Sequence, residues 1–91
     1  MKYIKFGTYS GKENMQIDSD LLENAIIEQA REPVFRLYAW SPKCVSLGRN
    51  QKGINIDGVD VVRRVTGGRA LLHDDEITYS YITCIRIIST T

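Results

Sequence analysis

The stretch VFRLYAWSPKCVSLG, residues 34–48, carries the pattern on which the predicted fold depends. Residues 34–40 are rich in β-branched and aromatic side chains, which are common in strands. Ser41 and Pro42 then form a turn signal, and residues 44–48 are a second short apolar run. The pattern therefore predicts two strands that are joined as a hairpin.

The segment before this stretch predicts a strand and one amphipathic helix. Residues 3–7 alternate in character as a half-buried strand does. Ser10 and Glu13 have the spacing of a capping box, in which each side chain bonds the backbone N–H of the other residue at a helix start. Apolar residues then recur at three- and four-residue spacing until Pro33 interrupts the pattern, so we expect a helix from about residue 13 to 31.

The segment after this stretch predicts a loop and three more strands. Gly53 to Gly58 is a polar loop or a single helical turn, and residues 59–63, 70–72 and 77–82 have strand character. Strands joined by short links pair antiparallel, so the expected fold class is α+β, with a packed N-terminal helix on a mostly antiparallel sheet. Residues 81–91 are a further β-prone run, which would leave an exposed sheet edge unless it pairs inside the sheet or the domain continues.

Length and composition are those of one globular domain over residues 1–91. The chain has 12 basic and 11 acidic residues, a formal net charge of +1 and 43% hydrophobic residues. This balance argues against nucleic acid as a partner. No apolar run has the length of a signal-peptide core or a membrane span, and Cys44 and Cys84 suggest neither a disulfide framework nor a zinc site. We therefore expect a cytoplasmic protein that binds neither membranes nor a metal ion.

Residues 63–75, RRVTGGRALLHDD, are the candidate functional motif. A glycine pair lets a ligand approach backbone N–H groups, and with flanking guanidinium groups these donors form a pocket for a phosphate or a carboxylate. Arg63 and Arg64 occupy successive strand positions and should point to opposite faces. Only one of them is therefore expected to face the same ligand as Gly67 and Gly68.

The motif also has a purely structural explanation. A Gly-Gly turn beside arginines is common in hairpins, and His73 next to Asp74 has the character of a surface or capping residue. The motif lacks the Gly-Lys-Ser/Thr end of a phosphate loop and the GxGxxG pattern of a dinucleotide site. The residues alone leave binding and structure as open alternatives.

Several short motifs occur in an order that is typical of one family. They are Asn14-Met15-x-x-Asp18, Arg36-Leu37-Tyr38-Ala39-Trp40-Ser41-Pro42, Val45-Ser46-Leu47-Gly48-Arg49-Asn50-Gln51, Val62-Arg63-Arg64-x-Thr66-Gly67-Gly68-Arg69-Ala70-x-x-His73-Asp74 and Thr78-Tyr79-Ser80. With these motifs in this order, the chain resembles the N-terminal part of the lipoate–protein ligase A and octanoyltransferase family. The catalytic domain of that family is related to that of biotin–protein ligases. The resemblance implies an incomplete biotin/lipoate protein ligase-like domain, similar to class II aminoacyl-tRNA synthetases.

The resemblance implies one of two reactions in the lipoylation of carrier domains. A ligase uses ATP and Mg²⁺ to join lipoate or octanoate to AMP, and then passes the acyl group to a lysine of a lipoyl carrier domain. An octanoyltransferase takes octanoate from acyl carrier protein through a cysteine thioester. The implied partners are a carrier domain of glycine cleavage H protein or 2-oxoacid dehydrogenase E2, acyl carrier protein, and a missing C-terminal half.

The resemblance also implies which residues bind the ligand. The acyl-adenylate or ATP would contact residues around the glycine pair, namely Arg63, Gly67, Gly68, Arg69, Ala70 and Leu71. The acyl chain would contact Trp40, Leu72 and His73. No catalytic residue is expected in this chain, because the lysine and the nucleophilic cysteine of the family lie downstream of the motif. Cys44 and Cys84 are interpreted as buried structural thiols.

Three classes of function follow. The chain is a segment of a lipoate ligase or octanoyltransferase, a truncated non-catalytic remnant or subunit that binds an acyl ligand or a lipoyl carrier domain, or a small nucleotide- or nucleic-acid-binding module. The balanced charge makes the third class the weakest.

Overall fold

The computed structural model describes residues 1–84 and 87–89. In chain order the elements are β1 (Lys2–Tyr9), α1 (Gly11–Ile27), β2 (Val34–Trp40), β3 (Cys44–Leu47), β4 (Asp60–Arg63), β5 (Leu71–His73), β6 (Ile77–Ile82) and β7 (Ile87–Ser89). The predicted α+β class is therefore confirmed, and the described residues form one helix and two mixed sheets. The part of the predicted run 81–91 that falls on residues 85, 86, 90 and 91 lies outside the described residues.

The strands form a main sheet and a small sheet. The main sheet has the order β1-β2-β6-β7 and the small sheet the order β4-β3-β5. The β1–β2 and β3–β4 pairs are parallel, and the pairs β2–β6, β6–β7 and β3–β5 are antiparallel. The parallel β1–β2 pair is joined by α1, because a parallel connection needs a crossover of this length.

The predicted hairpin over residues 34–48 is wrong. β2 belongs to the main sheet, where β1 and β6 occupy both of its edges, and β3 belongs to the small sheet, where it lies between β4 and β5. Ser41 and Pro42 therefore carry the chain from one sheet to the other. The short link predicted local pairing, but more distant strands compete for the same backbone groups.

Helix α1 has the predicted capping box, but it starts at Gly11, two residues before the predicted start, and ends earlier than predicted. Ser10 caps the helix, and its side chain and that of Glu13 exchange the two capping-box bonds at 3.2 Å each. The helix ends at Ile27 because Gln29 takes a positive φ of 49°. The N–H groups of Gln29 and Ala30 bond back to carbonyl groups of the last helical turn, at 3.2 and 3.0 Å, in the pattern of a Schellman motif. The chain thus leaves the helix before the Pro33 signal is reached.

The apolar core lies between α1 and the two sheets. One cluster contains Ala25, Val34 and Ile82, and the other contains Tyr38, Trp40 and Cys44. The helix contacts β2 and β6 of the main sheet and β3 and β4 of the small sheet. The packing of α1 against both sheets therefore holds the sheets together.

A buried polar network also connects α1 to the main sheet. The carboxylate of Asp18 accepts from Arg36 Nη1 at 2.8 Å, from the Tyr38 hydroxyl at 3.1 Å and from Ser80 Oγ at 2.8 Å. The side-chain oxygen of Asn14 accepts from Arg36 Nη2, and its amide donates to two backbone carbonyls. Burial and the Asp18 charge raise the pKa of Tyr38, which therefore stays a neutral donor. Several of the ordered motif residues thus meet in one structural network.

Candidate functional site

The candidate site is built around a glycine loop, defined here as residues 64–70, which follows β4. Arg64 is buried at 3% exposure and holds this loop from inside. Its Nη2 donates to the carbonyls of Gly67 at 3.1 Å and Arg69 at 2.7 Å, while its Nη1 donates to the backbone oxygen and Oγ of Ser46 at 2.9 and 2.6 Å. The loop is therefore fixed to β3 by one guanidinium group. Burial lowers the pKa of Arg64.

A second loop, residues 48–51, packs directly against the glycine loop and is called the facing loop. The N–H of Arg49 donates to the Thr66 carbonyl at 2.9 Å. A Cβ atom placed on Gly48 would lie 2.1 Å from the Gly68 carbonyl oxygen, and Gly68 itself has a φ of +106°. Both positions require glycine, the first for close approach and the second for backbone conformation. A Cβ on Gly67 would meet nothing within 4 Å.

Arg63 lies on the other side of β4, as the alternation predicted. Its Nη1 donates to the carbonyls of Gly48 at 2.9 Å and Gln51 at 2.6 Å, with a longer contact to the Arg49 carbonyl at 3.3 Å. Arg64, and not Arg63, donates to the backbone of the glycine loop. Ligand binding by Arg63 stays a prediction.

An open groove lies next to Arg63, between α1 and β4. Its volume is about 360 Å³. It is lined by two cationic, two polar and three apolar side chains, namely Lys12, Arg63, Gln16, Ser19, Met15, Val62 and Val65. This mixture suits a ligand with an apolar part and a negative group.

Trp40 and His73 lie together, and His73 contacts Ser46. Their rings stack at 3.9 Å with an angle of 9°, and His73 is 1% exposed. The Nε2 atom of His73 lies 2.6 Å from Ser46 Oγ. The interpretation of His73 as a surface residue is therefore wrong. Its contact with an acyl chain, like that of Trp40, stays a prediction.

The other predicted binding residues form an exposed surface. Arg69, Ala70, Leu71 and Leu72 are all exposed, and Leu72 reaches 61%. Leu71 and Leu72 are successive residues of the edge strand of the small sheet, so their exposed side chains lie on opposite faces of that sheet. Acyl binding at Leu72 stays a prediction that agrees with this exposure.

Three buried side-chain atoms of the described residues have no hydrogen-bond partner, and all three belong to the motif. They are Arg64 Nε, Thr66 Oγ1 and His73 Nδ1. Buried polar groups are normally paired, because an unpaired one loses its bonds to water without replacement. Two of the three atoms thus belong to the glycine loop, and the third belongs to His73, which contacts Ser46.

The cysteines differ in burial. Cys44 is fully buried, and burial raises its pKa to about 11, so the thiol is a poor nucleophile at neutral pH. Cys84 is only half-buried, which corrects the interpretation of both thiols as buried. Across residues 1–84 and 87–89, no group of three His, Cys, Asp or Glu side chains is placed to hold a metal ion. Within the same residues, no helix combines the length and apolarity needed to cross a membrane.

Sequence reasoning missed two supporting residues. The first is Arg64 as the residue that holds the glycine loop, and the second is Glu76, whose Oε2 lies 3.3 Å from His73 Nδ1. The Arg-Arg pair contained the signal for Arg64, since one of two successive strand residues had to point inward. Nothing in the local sequence pointed to Glu76, because its partner is defined by the turn between β5 and β6.

Acid should destabilise the fold through His73. Burial lowers its pKa below the ordinary value of 6.5, while Glu76 opposes this shift and Arg64 adds to it. The unfolded chain therefore takes up a proton at higher pH than the folded chain, and the free energy of unfolding falls as the pH drops below 6.5 toward the folded pKa. Urea unfolding across this range measures the slope.

The chain contains one histidine, so a His73→Asn variant is the matched control for this slope. The variant should show a flat stability between neutral pH and the range where carboxylates titrate. An equal slope in both proteins would contradict the assignment to His73.

Comparison with known proteins identifies related sequences. The model of the lipoyl protein ligase A/B catalytic domain matches residues 10–86. The octanoyltransferase LipM of Carboxydothermus hydrogenoformans is 44% identical over 93% of this chain and 34% of its own length. The octanoyltransferases LipM of Clostridioides difficile and Moorella thermoacetica are 42% and 47% identical, over 82% and 76% of this chain and 30% and 28% of their own lengths. The chain spans about a third of the length of these relatives.

Proposed function

Because the chain belongs to the lipoyl protein ligase A/B catalytic domain family, we propose that it supplies the acyl-binding part of an octanoyltransferase that acts in lipoylation. In the proposed reaction, the thioester bond of octanoyl acyl carrier protein breaks and the carrier thiol leaves. The octanoyl group ends in an amide with a lysine of a lipoyl carrier domain, such as that of glycine cleavage H protein or 2-oxoacid dehydrogenase E2. The names of the relatives favour this transferase over the ATP-dependent ligase.

The observation that carries the proposal is the pair of unpartnered donors in the glycine loop. Arg64 Nε can only donate, and Thr66 Oγ1 can donate through its hydroxyl hydrogen. The carbonyl oxygen of an acyl group would accept from such donors and would enter where Gly67 and Gly68 are exposed. One of the exposed leucines, Leu71 or Leu72, which lie on opposite faces of β5, would then lie beside the octanoyl chain.

A non-catalytic remnant or subunit is the second candidate, and the cysteines favour it. Cys44 is buried with a raised pKa, and Cys84 is half-buried after β6. Neither lies in the glycine loop. Under this alternative the chain binds the acyl ligand or the lipoyl carrier domain without transferring the acyl group.

A transfer assay separates these candidates. The chain is incubated with octanoyl acyl carrier protein and H protein. A parallel reaction contains H protein with octanoate or lipoate, ATP and Mg²⁺. Mass spectrometry measures the mass of the H protein after each reaction. Octanoylation from the carrier thioester supports the transferase, and a product only with ATP supports the ligase. The single tryptophan, Trp40, should report binding of octanoyl pantetheine by fluorescence, because its ring stacks on His73, which contacts Ser46. Binding without product supports the remnant. The absence of both binding and product contradicts both candidates.

The Thr66→Val variant tests the carrying observation. It removes the unpartnered hydroxyl and keeps the shape of the side chain, so binding of octanoyl pantetheine should weaken by about five- to tenfold, the effect of one hydrogen bond. Thr8→Val makes the same chemical change at an exposed position of β1 and should leave the affinity unchanged. Equal affinities for the two variants would contradict ligand binding at Thr66.

A further inference from the structure

A continuous chain of polar contacts runs from the surface to the glycine loop. Glu76 Oε2 lies 3.3 Å from His73 Nδ1, and His73 Nε2 lies 2.6 Å from Ser46 Oγ. Ser46 Oγ in turn lies 2.6 Å from Arg64 Nη1, and Arg64 holds the backbone of the loop. Of these four residues, only Glu76 is substantially exposed, with 38% of its side chain accessible. The chain of contacts therefore connects a surface carboxylate to the proposed acyl site.

The contacts along this path fit one set of donor and acceptor roles. Arg64 only donates, so Ser46 Oγ accepts from it and directs its own hydrogen elsewhere. When Ser46 donates this hydrogen to His73 Nε2, the proton of the neutral ring is on Nδ1. That N–H faces the Glu76 carboxylate at ion-pair distance, although its direction is outside that of a good hydrogen bond. The contact is therefore chiefly electrostatic.

Glu76 is itself fixed in place. The hydroxyl of Thr78 donates to Glu76 Oε2 at 3.0 Å, and the indole N–H of Trp40 donates to Thr78 Oγ1 at 2.8 Å. The Trp40 ring also stacks on His73. The imidazole is thus held on one face by the indole and at both nitrogens by polar groups, and the charged groups that act on it are Glu76 and Arg64.

We propose that Glu76 is a positioning residue, which holds the proton of His73 on Nδ1 and thereby lets Ser46 fix Arg64 and the glycine loop in the ligand-binding conformation. The link to ligand binding rests on the proposed function, while the effect on His73 does not. Loss of the Glu76 charge would allow the proton to move to Nε2. Ser46 would then lose its acceptor, and the support of Arg64 would change.

Nuclear magnetic resonance of the imidazole nitrogens tests the first part. The chain has one histidine, so its ¹⁵N signals need no further assignment. In the unsubstituted chain we expect a protonated Nδ1 and an unprotonated Nε2 at neutral pH. Glu76→Gln should shift the two nitrogen signals toward a mixture of tautomers and should lower the pKa of His73, because the carboxylate favours the charged ring.

Asp75→Asn is the matched control. It removes a charge from the adjacent residue, and Asn tolerates the positive φ of 49° found at this position. The His73 signals should stay unchanged in this variant. If Glu76→Gln and Asp75→Asn affect His73 equally, or if neither affects it, positioning by Glu76 is wrong.

Ligand binding tests the second part. Glu76→Gln should weaken the binding of octanoyl pantetheine by about fivefold, as expected for one lost polar interaction, and should move the pH dependence of binding to lower pH. Asp75→Asn should do neither. If the His73 signals respond and the unsubstituted chain does not bind the ligand, the proposed function fails and positioning of His73 stands. If the chain binds and Glu76→Gln changes only His73, the link from Glu76 to the loop is refuted.

Discussion

Replacing Arg36 by alanine is expected to lower the free energy of unfolding by about 3–5 kcal/mol, because it leaves the Asp18 carboxylate buried without its countercharge. The guanidinium group is 1% exposed and donates to Asp18 Oδ1 at 2.8 Å, and it also donates to the Asn14 backbone carbonyl at 3.2 Å. It stacks over the Tyr38 ring at 3.7 Å. Domains of this kind have about 5–15 kcal/mol in total, so the loss would leave a marginal fold.

Urea unfolding of the variant measures this loss. Arg31→Ala is the matched control, since Arg31 is exposed beyond the helix end, and it should change the stability by no more than about 0.5 kcal/mol. A double variant of Arg36→Ala and Asp18→Ala should cost less than the sum of the two single variants, because the second change removes the stranded charge. Full additivity would contradict the coupling.

Gly48→Ala is expected to lower the free energy of unfolding by about 1–3 kcal/mol, because its methyl group forces the facing loop away from the glycine loop. The added carbon would lie 2.1 Å from the Gly68 carbonyl oxygen and 2.9 Å from the Gly68 carbonyl carbon, and backbone atoms have little freedom to yield. The 2.9 Å bond from Arg49 N–H to the Thr66 carbonyl would break as the loops separate. Binding of octanoyl pantetheine should weaken with it.

Gly67→Ala provides the control for this change within the same pair of loops. Its methyl group would meet nothing within 4 Å, so stability should stay close to that of the unsubstituted chain. Thermal unfolding reports the stability of both variants. An equal effect of the two substitutions would show that the contact between Gly48 and Gly68 does not hold the loops together.

The buried network between α1 and the main sheet shows that motif residues can be recognised in a sequence without showing which of them become partners in the fold. Asn14, Asp18, Arg36 and Ser80 were noticed as ordered motif residues, and the structure brings them into a single ion-pair network between α1 and the main sheet. Such residues are polar and widely spaced along the chain. Periodicity identifies apolar residues that face a core, but it carries no information on which buried polar groups become partners.

The assignment of the two arginines illustrates the same limit at the candidate site. Strand alternation predicted that Arg63 and Arg64 point to opposite faces, which the structure confirms. It did not predict which face would meet the glycine loop. That depends on how the chain turns back after β4, and the turn brings the carbonyls of Gly67 and Arg69 to Arg64.

By itself, the sequence determined the local elements: the capped start of α1, most strand positions, the α+β class and the location of the glycine loop. These follow from capping groups, periodicity and turn residues, which act over a few neighbouring positions. Only the tertiary structure decided that β2 and β3 belong to different sheets, that Arg64 holds the loop and that Glu76 faces His73. The physical reason is that strand edges and buried polar groups select partners by proximity in the folded chain, and that proximity is set by all the elements together.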